Sequence, residues 1–210
     1  MFGMQKKLKF EEELRKSLPE GFELPNEVWT LIQWLEDKKQ VFQYRNTNSL
    51  FMPTMPVESI DHIWSHLAFV IEPELVRRWF GKSGLEDFLV PLVKCGADGS
   101  HFAVWRNAED ATFVFLGSEG EAFKVTNSAS EFIVLITMGY FSLENRHALA
   151  STPSNNYAEY FDGRWPDPVD VKQHVQSTLG VTYPASAGNL ISGNGDDQFV
   201  KWVEQVLKHP

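Results

Sequence analysis

The first part of the chain carries apolar residues at helical spacing, with charged residues between them. This period of about 3.6 residues predicts helices that each pack one apolar face on a core. Four helices are predicted, over residues 6–16, 27–39, 56–70 and 73–80. A short strand is predicted over residues 41–44, and residues 46–56 predict a loop because they are rich in Asn, Thr, Ser and Pro. Residues 1–88 are therefore expected to be mainly helical.

From Leu89 the pattern changes to short apolar runs separated by turns rich in Gly and Asp. Four strands are predicted, over residues 89–94, 101–106, 112–116 and 122–125. The turns at residues 96–99, 107–110 and 117–120 are too short for a parallel crossover, which needs about a dozen residues. Residues 89–125 therefore predict an antiparallel meander.

Two elements in this region are apolar on every side and are expected to be buried. Trp105 and Ala103 alternate with the apolar residues Phe102 and Val104, so both faces of the second strand are covered. The segment after Asn127 and Ser128 predicts a helix capped by one of these residues. Ser128 and Glu131 have the spacing of a capping box. The body of this helix, residues 132–138, is apolar nearly all round, which indicates packing against the sheet.

The remainder of the chain, residues 141–210, predicts a helical extension packed on the core. Residues 141–166 are irregular, polar and aromatic, and residues 167–179 predict a helix. Residues 181–195 predict a loop, and a last helix is predicted to run to His209 after a cap at Asp196 or Asp197. The fold class expected from the whole pattern is α+β: one domain over residues 1–210, with a small, mainly antiparallel meander sheet flanked by helices.

Composition and charge restrict the classes of partner. The 210 residues are 43% hydrophobic and carry a formal net charge of -9, which is typical of a globular protein and unfavourable for binding nucleic acid or an anionic membrane. The same charge suits a basic protein partner, although acidity also serves solubility alone. Cys95 is the one cysteine, so no intrachain disulfide forms. No secretory signal or membrane span is evident, and a cytoplasmic location is expected.

Three motifs that resemble catalytic or ligand sites lack the residues that their chemistry needs. The turn Gly117–Gly120 lacks the lysine and the spacing of a phosphate loop. His62 and His66 are four residues apart on a predicted helix, but no third metal ligand is indicated. Cys95 and His101 face each other across a predicted hairpin, but nothing in the sequence orients them as a catalytic pair. The expectation is therefore no catalytic residue, no metal and no cofactor.

Acidic residues gather in the turns of the predicted meander. Alternate turns lie at the same end of a sheet, so we expect Asp98, Glu119 and Glu121 to lie near one another. Paired carboxylates serve acid–base catalysis or metal binding, and they also keep turns soluble or bind a basic partner. Asp98, Glu119 and Glu121 are the residues that we expect to contact a partner.

Several motifs of residues 89–140 resemble the SUKH superfamily, which includes the Smi/Knr-like proteins. The motifs are Gly96-Ala97-Asp98-Gly99-Ser100, Ala103-Val104-Trp105, Val114-Phe115-Leu116-Gly117-Ser118-Glu119-Gly120, and the helix through Phe132 and Leu135 to Gly139-Tyr140. The chain resembles a divergent member, because Trp79-Phe80-Gly81-Lys82 stands where many members have an Asn-Gly-Gly-like turn. The resemblance implies an α+β fold without catalytic activity or cofactor.

The same resemblance implies binding of another protein. Bacterial members of this kind are typically immunity proteins that block a toxin, often a nuclease or deaminase, and eukaryotic relatives are regulatory interaction proteins. We therefore expect an immunity protein that neutralises a basic toxin domain by occlusion. A regulatory or scaffold module is the alternative. A small metal-dependent hydrolase that uses Asp98, Glu119 and Glu121, or His62 and His66, is the third hypothesis.

Overall fold

A computed structural model describes residues 9–44, 47, 49–107, 110–191 and 197–208, with residue 110 described by its backbone alone. Within these residues the strands are β1 Phe42–Gln43, β2 Leu50–Pro53, β3 Ala68–Val70, β4 Leu89–Lys94, β5 His101–Asn107, β6 Asp110–Leu116 and β7 Ala122–Thr126. The helices are α1 Phe10–Ser17, α2 Asn26–Asp37, α3 Glu74–Phe80, α4 Ala129–Thr137, α5 Arg146–Ala150, α6 Pro153–Ala158, α7 Val169–Leu179 and α8 Gln198–Lys208.

The strands form one antiparallel sheet in the order β1 to β7, each paired with its neighbour in the chain. This meander confirms the predicted α+β class. The four strands predicted after Leu89 are all present, within two residues of the expected bounds. Gly99 and Gly120 adopt positive φ angles of 100° and 87° in two of the turns, a conformation that glycine adopts without strain. In the middle turn, Ala108 and Glu109 lie outside the described residues.

The sheet is covered on both faces, as predicted for β5. Phe102 and Val104 point into the main core, and Ala103 and Trp105 point into a second core on the opposite face. Helices α2, α4 and α7 pack over the main core, and α3 and α8 cover the second. Trp105 is buried and packs against aromatic residues of α8, so it is a core residue.

Helix α4 begins at the predicted cap. The Ser128 hydroxyl accepts a hydrogen bond from the Glu131 backbone N–H at 3.2 Å. The reciprocal half of the capping box differs, because the Glu131 carboxylate accepts from the Thr126 hydroxyl and the Ser128 N–H donates to the same hydroxyl. Residues 132–138 of this segment are buried, as expected for a helix that is apolar nearly all round.

The N-terminal part departs from the prediction, because the described residues up to position 88 contain three strands. Residues 56–70 do not form a helix: they contain a short 3-10 turn at Ile60–His62 and end in β3. Strand β2 also lies inside the predicted loop 46–56. The reason is long-range pairing. The Ser65 hydroxyl donates to Tyr140 O at 2.8 Å and the His66 N–H donates to Phe141 O at 2.8 Å, which holds residues 65–66 extended.

The other N-terminal elements agree with the prediction more closely. Helix α1 falls within the predicted segment apart from its last residue, and positions 6–8 of that segment lie outside the described residues. Strand β1 lies inside its expected segment, and helix α2 begins one residue before and ends two residues before the expected bounds. Helix α3 ends at Gly81, which has a φ of 68° and supplies the left-handed C-terminal stop.

The C-terminal extension contains more helix than expected. Helices α5 and α6 lie inside residues 141–166, which were predicted to be irregular, and a 3-10 turn at Ala187–Leu190 lies in the predicted loop. Five buried residues of the extension belong to the main core: Leu143, Leu149, Val171, Val175 and Ala187.

The last helix, α8, has the predicted cap at Asp197, whose carboxylate accepts from the Val200 N–H at 3.1 Å. Asp196 and His209 lie outside the described residues. No helix in the described ranges is long and apolar enough to cross a membrane.

Candidate functional site

Asp98 joins two turns at one end of the sheet. Its carboxylate accepts from the Ser100 N–H at 2.9 Å, from the Ser100 hydroxyl at 2.8 Å and, across to the β6–β7 turn, from the Ser118 hydroxyl at 2.6 Å. Burial raises the pKa of the Asp98 carboxyl, but these hydrogen bonds outweigh burial and leave the pKa lowered. Asp98 is therefore an ionised residue that ties the two turns together, as well as an exposed acid.

The other two predicted contact residues differ from Asp98 in their surroundings. Glu119 is exposed at the tip of the β6–β7 turn, next to Ser118, so the structure brings its turn to Asp98. Glu121 instead lies 3.6 Å from the Arg146 guanidinium, measured from Oε1 to Nε. Arg146 in turn lies 4.0 Å above the ring of Phe123. Glu121 thus belongs to a cation–ring–carboxylate arrangement within the chain.

Glu144 is a second acid beside Asp98 that the sequence did not single out. Its Oε1 accepts from the Ser142 hydroxyl at 2.8 Å and from the Ala97 N–H at 3.3 Å. Both acids crowd Gly96, where an added Cβ would lie 2.3 Å from Asp98 Oδ1 and 2.5 Å from Glu144 Cγ. Only a glycine allows these two side chains to approach the turn so closely.

A network of aromatic rings lies beside these two acids. It comprises Trp64, His66, Phe141, Tyr157, Tyr160 and Phe161. Phe141 is central, with ring centroids 4.4 Å from Tyr160 and 4.8 Å from Phe161. Tyr160 and Phe161 both contact Phe141 and are 47% and 39% exposed, so a partner can reach both rings. We call these six rings, together with Asp98 and Glu144, the acidic–aromatic surface.

The pKa values of two of the rings are influenced by the charges of the two acids. Burial raises the pKa of the Tyr160 hydroxyl, and the charges of Glu144, Glu159 and Asp98 raise it further. Burial and the charge of Lys94 lower the pKa of His66, while Glu144 and Asp98 oppose that shift. Both rings therefore lie within the electric field of the same two carboxylates.

The backbone under this surface is held by a buried side chain. Asn156 Oδ1 accepts from the Phe141 N–H at 2.9 Å and from the Ser142 N–H at 3.2 Å. These bonds hold residues 141–144, which carry the central ring and Glu144, against helix α6. The exposed rings of Tyr160 and Phe161 follow that helix in the chain. The rings come from residues 64–66, 141 and 157–161, so their meeting depends on tertiary structure. The one sequence signal was the aromatic, polar composition of residues 141–166.

The candidate catalytic groups are not assembled. His62 ends the 3-10 turn and His66 lies in the extended segment, so the prediction of a shared helix face is wrong. Cys95 is buried, and burial raises the pKa of its thiol well above the usual value, which disfavours a nucleophilic thiolate. In the part of the chain that the structure describes, no three His, Cys, Asp or Glu side chains are placed to hold a metal ion.

His101 has a different environment from that of a catalytic base. Its side chain is 3% exposed, with Nδ1 2.6 Å from Gly99 O and Nε2 3.9 Å from Glu72 Oε2. Because a carbonyl only accepts, Nδ1 carries the proton and the neutral ring has a bare Nε2. Burial lowers the pKa of His101, against the opposing charge of Glu72.

A cleft of about 770 Å³ lies between α3 and the β1–β2 hairpin. Its lining includes Tyr44, Glu72, Glu74, Arg77 and Arg78. The charges pair within the cleft, since Arg78 Nη2 lies 3.2 Å from Glu72 and Arg77 Nη1 lies 3.8 Å from Glu74. The cleft therefore presents balanced charge, in contrast to the acidic–aromatic surface.

Comparisons with protein-family models, with curated proteins and with solved structures gave no match for this chain.

Proposed function

We propose that this protein is a non-enzymatic binding protein that neutralises a basic toxin domain, of nuclease or deaminase type, by covering its active surface. The observation that carries the proposal is the acidic–aromatic surface. Exposed aromatic rings are the side chains that most often supply the binding energy of protein interfaces. Carboxylates beside them favour a partner of positive charge.

The charge of the whole chain supports the same kind of partner. A formal net charge of -9 speeds encounter with a cationic protein and repels nucleic acid, so the protein would compete with a toxin's substrate for the same basic surface. The expected mechanism is occlusion, in which the rings of Tyr160 and Phe161 pack on the toxin while Asp98 and Glu144 pair with its cationic groups.

The α+β meander is compatible with the SUKH superfamily that the sequence resembles, and membership of that superfamily forms part of the proposal. The family likeness motivates a toxin as the partner, while the surface itself motivates a basic protein. A regulatory module of the Smi/Knr type would use the same surface for a different cellular partner, so the experiment has to separate the two.

The test is affinity capture of partners from the native lysate at low and at moderate salt, followed by co-expression. A single stoichiometric basic partner, whose toxicity in co-expression is relieved by this protein, is the expected result. Capture should weaken as salt rises, because exposed ion pairs are screened. Partners that are not toxic, or a toxic partner that is not relieved, would contradict the immunity function and favour the regulatory one.

A further inference from the structure

Two arginine side chains of this molecule are each held by a ring face and a carboxylate together. The Arg15 guanidinium lies 3.7 Å above the Trp29 ring and 2.8 Å from the Glu11 carboxylate. Arg146 repeats this arrangement with Phe123 and Glu121, close to the acidic–aromatic surface. A guanidinium suits this arrangement because its flat face stacks on a ring while its edge donates to a carboxylate.

The acidic–aromatic surface offers the same pair of groups, and no cation of the described residues lies over its two exposed rings. Among the residues that the structure describes, no arginine or lysine lies over the ring of Tyr160 or Phe161. The hydrogen bonds that Glu144 accepts within the described chain both use Oε1, which leaves Oε2 for an external donor. The exposed rings contact Phe141, and the Glu144 carboxylate accepts a hydrogen bond from the next residue, Ser142.

We propose that the acidic–aromatic surface binds an arginine side chain of the partner, stacked on Tyr160 and Phe161 and paired with Glu144. This inference rests on the proposed function, because it specifies the chemistry of the partner that the surface binds. Asp98 contributes its charge, while its hydrogen bonds to Ser100 and Ser118 keep it in the turn.

Arginine fits this surface better than lysine. Among the residues that the structure describes, the two closest cation–ring contacts, at 3.7 and 4.0 Å, belong to arginines. Lys172 also pairs a ring with a carboxylate, but its ammonium lies farther from the Trp165 ring, at 4.6 Å. An ammonium is a compact and strongly hydrated charge that gains less from a ring face than a guanidinium does.

The inference can be tested on the whole chain without the partner. The probe is a blocked peptide, acetyl-Gly-Arg-Gly-amide, added to isotope-labelled protein and followed by NMR. We compare it with the same peptide carrying lysine or the uncharged analogue citrulline. The expected result is millimolar binding with shifts confined to residues 141–144 and 157–161, about two- to fivefold weaker for lysine and abolished for citrulline.

Matched variants separate a built site from general charge attraction. Glu144→Gln removes one charge but keeps the oxygen that accepts from Ser142 and Ala97, and it should weaken binding about two- to fivefold. Glu23→Gln removes the same charge from an exposed position in the loop before α2 and should leave binding unchanged. Replacing both Tyr160 and Phe161 with Ala should abolish binding while the rest of the NMR spectrum keeps its dispersion.

Several outcomes would overturn the inference. They are equal binding of arginine and lysine peptides, equal loss of binding in Glu144→Gln and Glu23→Gln, shifts elsewhere on the protein, or no binding at about 20 mM peptide, well above the millimolar affinity expected of one side chain. These results are independent of toxin protection. A captured toxin that binds without an arginine at this surface would remove the inference and leave the proposed function standing. Arginine selectivity without any toxic partner would support the arginine site and contradict the proposed function.

Discussion

At the scale of single residues, the two most informative side chains differ in how their charge depends on folding. Asp98 is held ionised by donors from two turns, while His101 is held neutral by burial beside Glu72. The sequence indicated that the two turns lie at the same sheet end, because alternate turns of a meander do so, but it did not indicate the hydrogen bonds that Asp98 accepts there. It did not indicate the neutral state of His101 either, because the burial of His101 depends on distant residues such as Glu72.

His101 predicts a loss of stability in mild acid. Its pKa is lowered in the folded protein, so the unfolded chain binds a proton more readily, and stability should fall as the pH drops below the ordinary histidine value of about 6.5. Urea unfolding at pH 7.5, 6.5 and 5.5 measures this loss. The loss of stability with falling pH should be smaller in His101→Gln. It should be unchanged in His62→Gln, because the His62 ring is exposed. An unchanged pH dependence in His101→Gln would contradict the assignment.

Replacement of Asp98 should lower the stability of the fold, an effect that can be measured without a partner. Asp98→Ala removes two hydrogen bonds to Ser100 within its own turn and the one to Ser118 that connects the two turns. It should lower the free energy of unfolding by about 1 kcal/mol, since the site is largely exposed. Glu119→Ala serves as the control because no hydrogen bond of its carboxylate connects the two turns. Equal urea midpoints for the two variants would show that the Asp98 bonds do not stabilise the turns.

At the scale of elements, prediction succeeded where local chemistry decides the structure. The meander from Leu89 was predicted because Gly and Asp turns leave no room for any other connection, and α4 was predicted because Ser128 caps an apolar run. Prediction failed over residues 56–70, where the helical spacing of Ile60, Ile63 and Leu67 is overridden by backbone and side-chain bonds to Tyr140 and Phe141. Those bonds come from more than 70 positions away in sequence.

The Asp197 side chain connects helix α8 to strand β7. Its replacement should therefore destabilise the protein more than replacement of Ser128, the cap of α4. One carboxylate oxygen caps α8 and the other accepts from the Lys124 N–H of the edge strand β7 at 2.8 Å. Asp197→Ala should cost about 2 kcal/mol, against about 1 kcal/mol for Ser128→Ala, which removes one cap bond. Hydrogen exchange adds a local readout, since the Lys124 amide should exchange faster in Asp197→Ala alone. Protection of that amide in the variant would contradict the role of Asp197 at the sheet edge.

At the scale of the whole molecule, the main core runs from Phe10 to Ala187 and includes residues of the C-terminal extension. Such a shared core predicts one cooperative unfolding transition. Circular dichroism, which follows all helices, and tryptophan fluorescence should give coincident urea curves. Two separated transitions would mean that residues 141–210 form an independent unit.

The acidic–aromatic surface also belongs to this scale, because it draws on segments near residues 64, 98, 141 and 160. The sequence predicted acidic residues in the turns at this surface. It named Glu121, which pairs with Arg146 within the chain, as a partner contact, and it did not identify Glu144. No local pattern brings Trp64 to Tyr157 or His66 to Phe141; the sheet and α6 do so.

The measurement that tests the central claim most directly is capture of the partner by three forms of the protein in parallel. The forms are wild type, Tyr160→Ala combined with Phe161→Ala, and Phe88→Ala, which removes a comparably exposed ring elsewhere. We predict that wild type and Phe88→Ala capture the same basic partner, while the double variant captures at least about tenfold less, as the loss of two interface rings implies. Equal capture by the double variant, with its fold intact, would contradict the claim that the acidic–aromatic surface binds the partner.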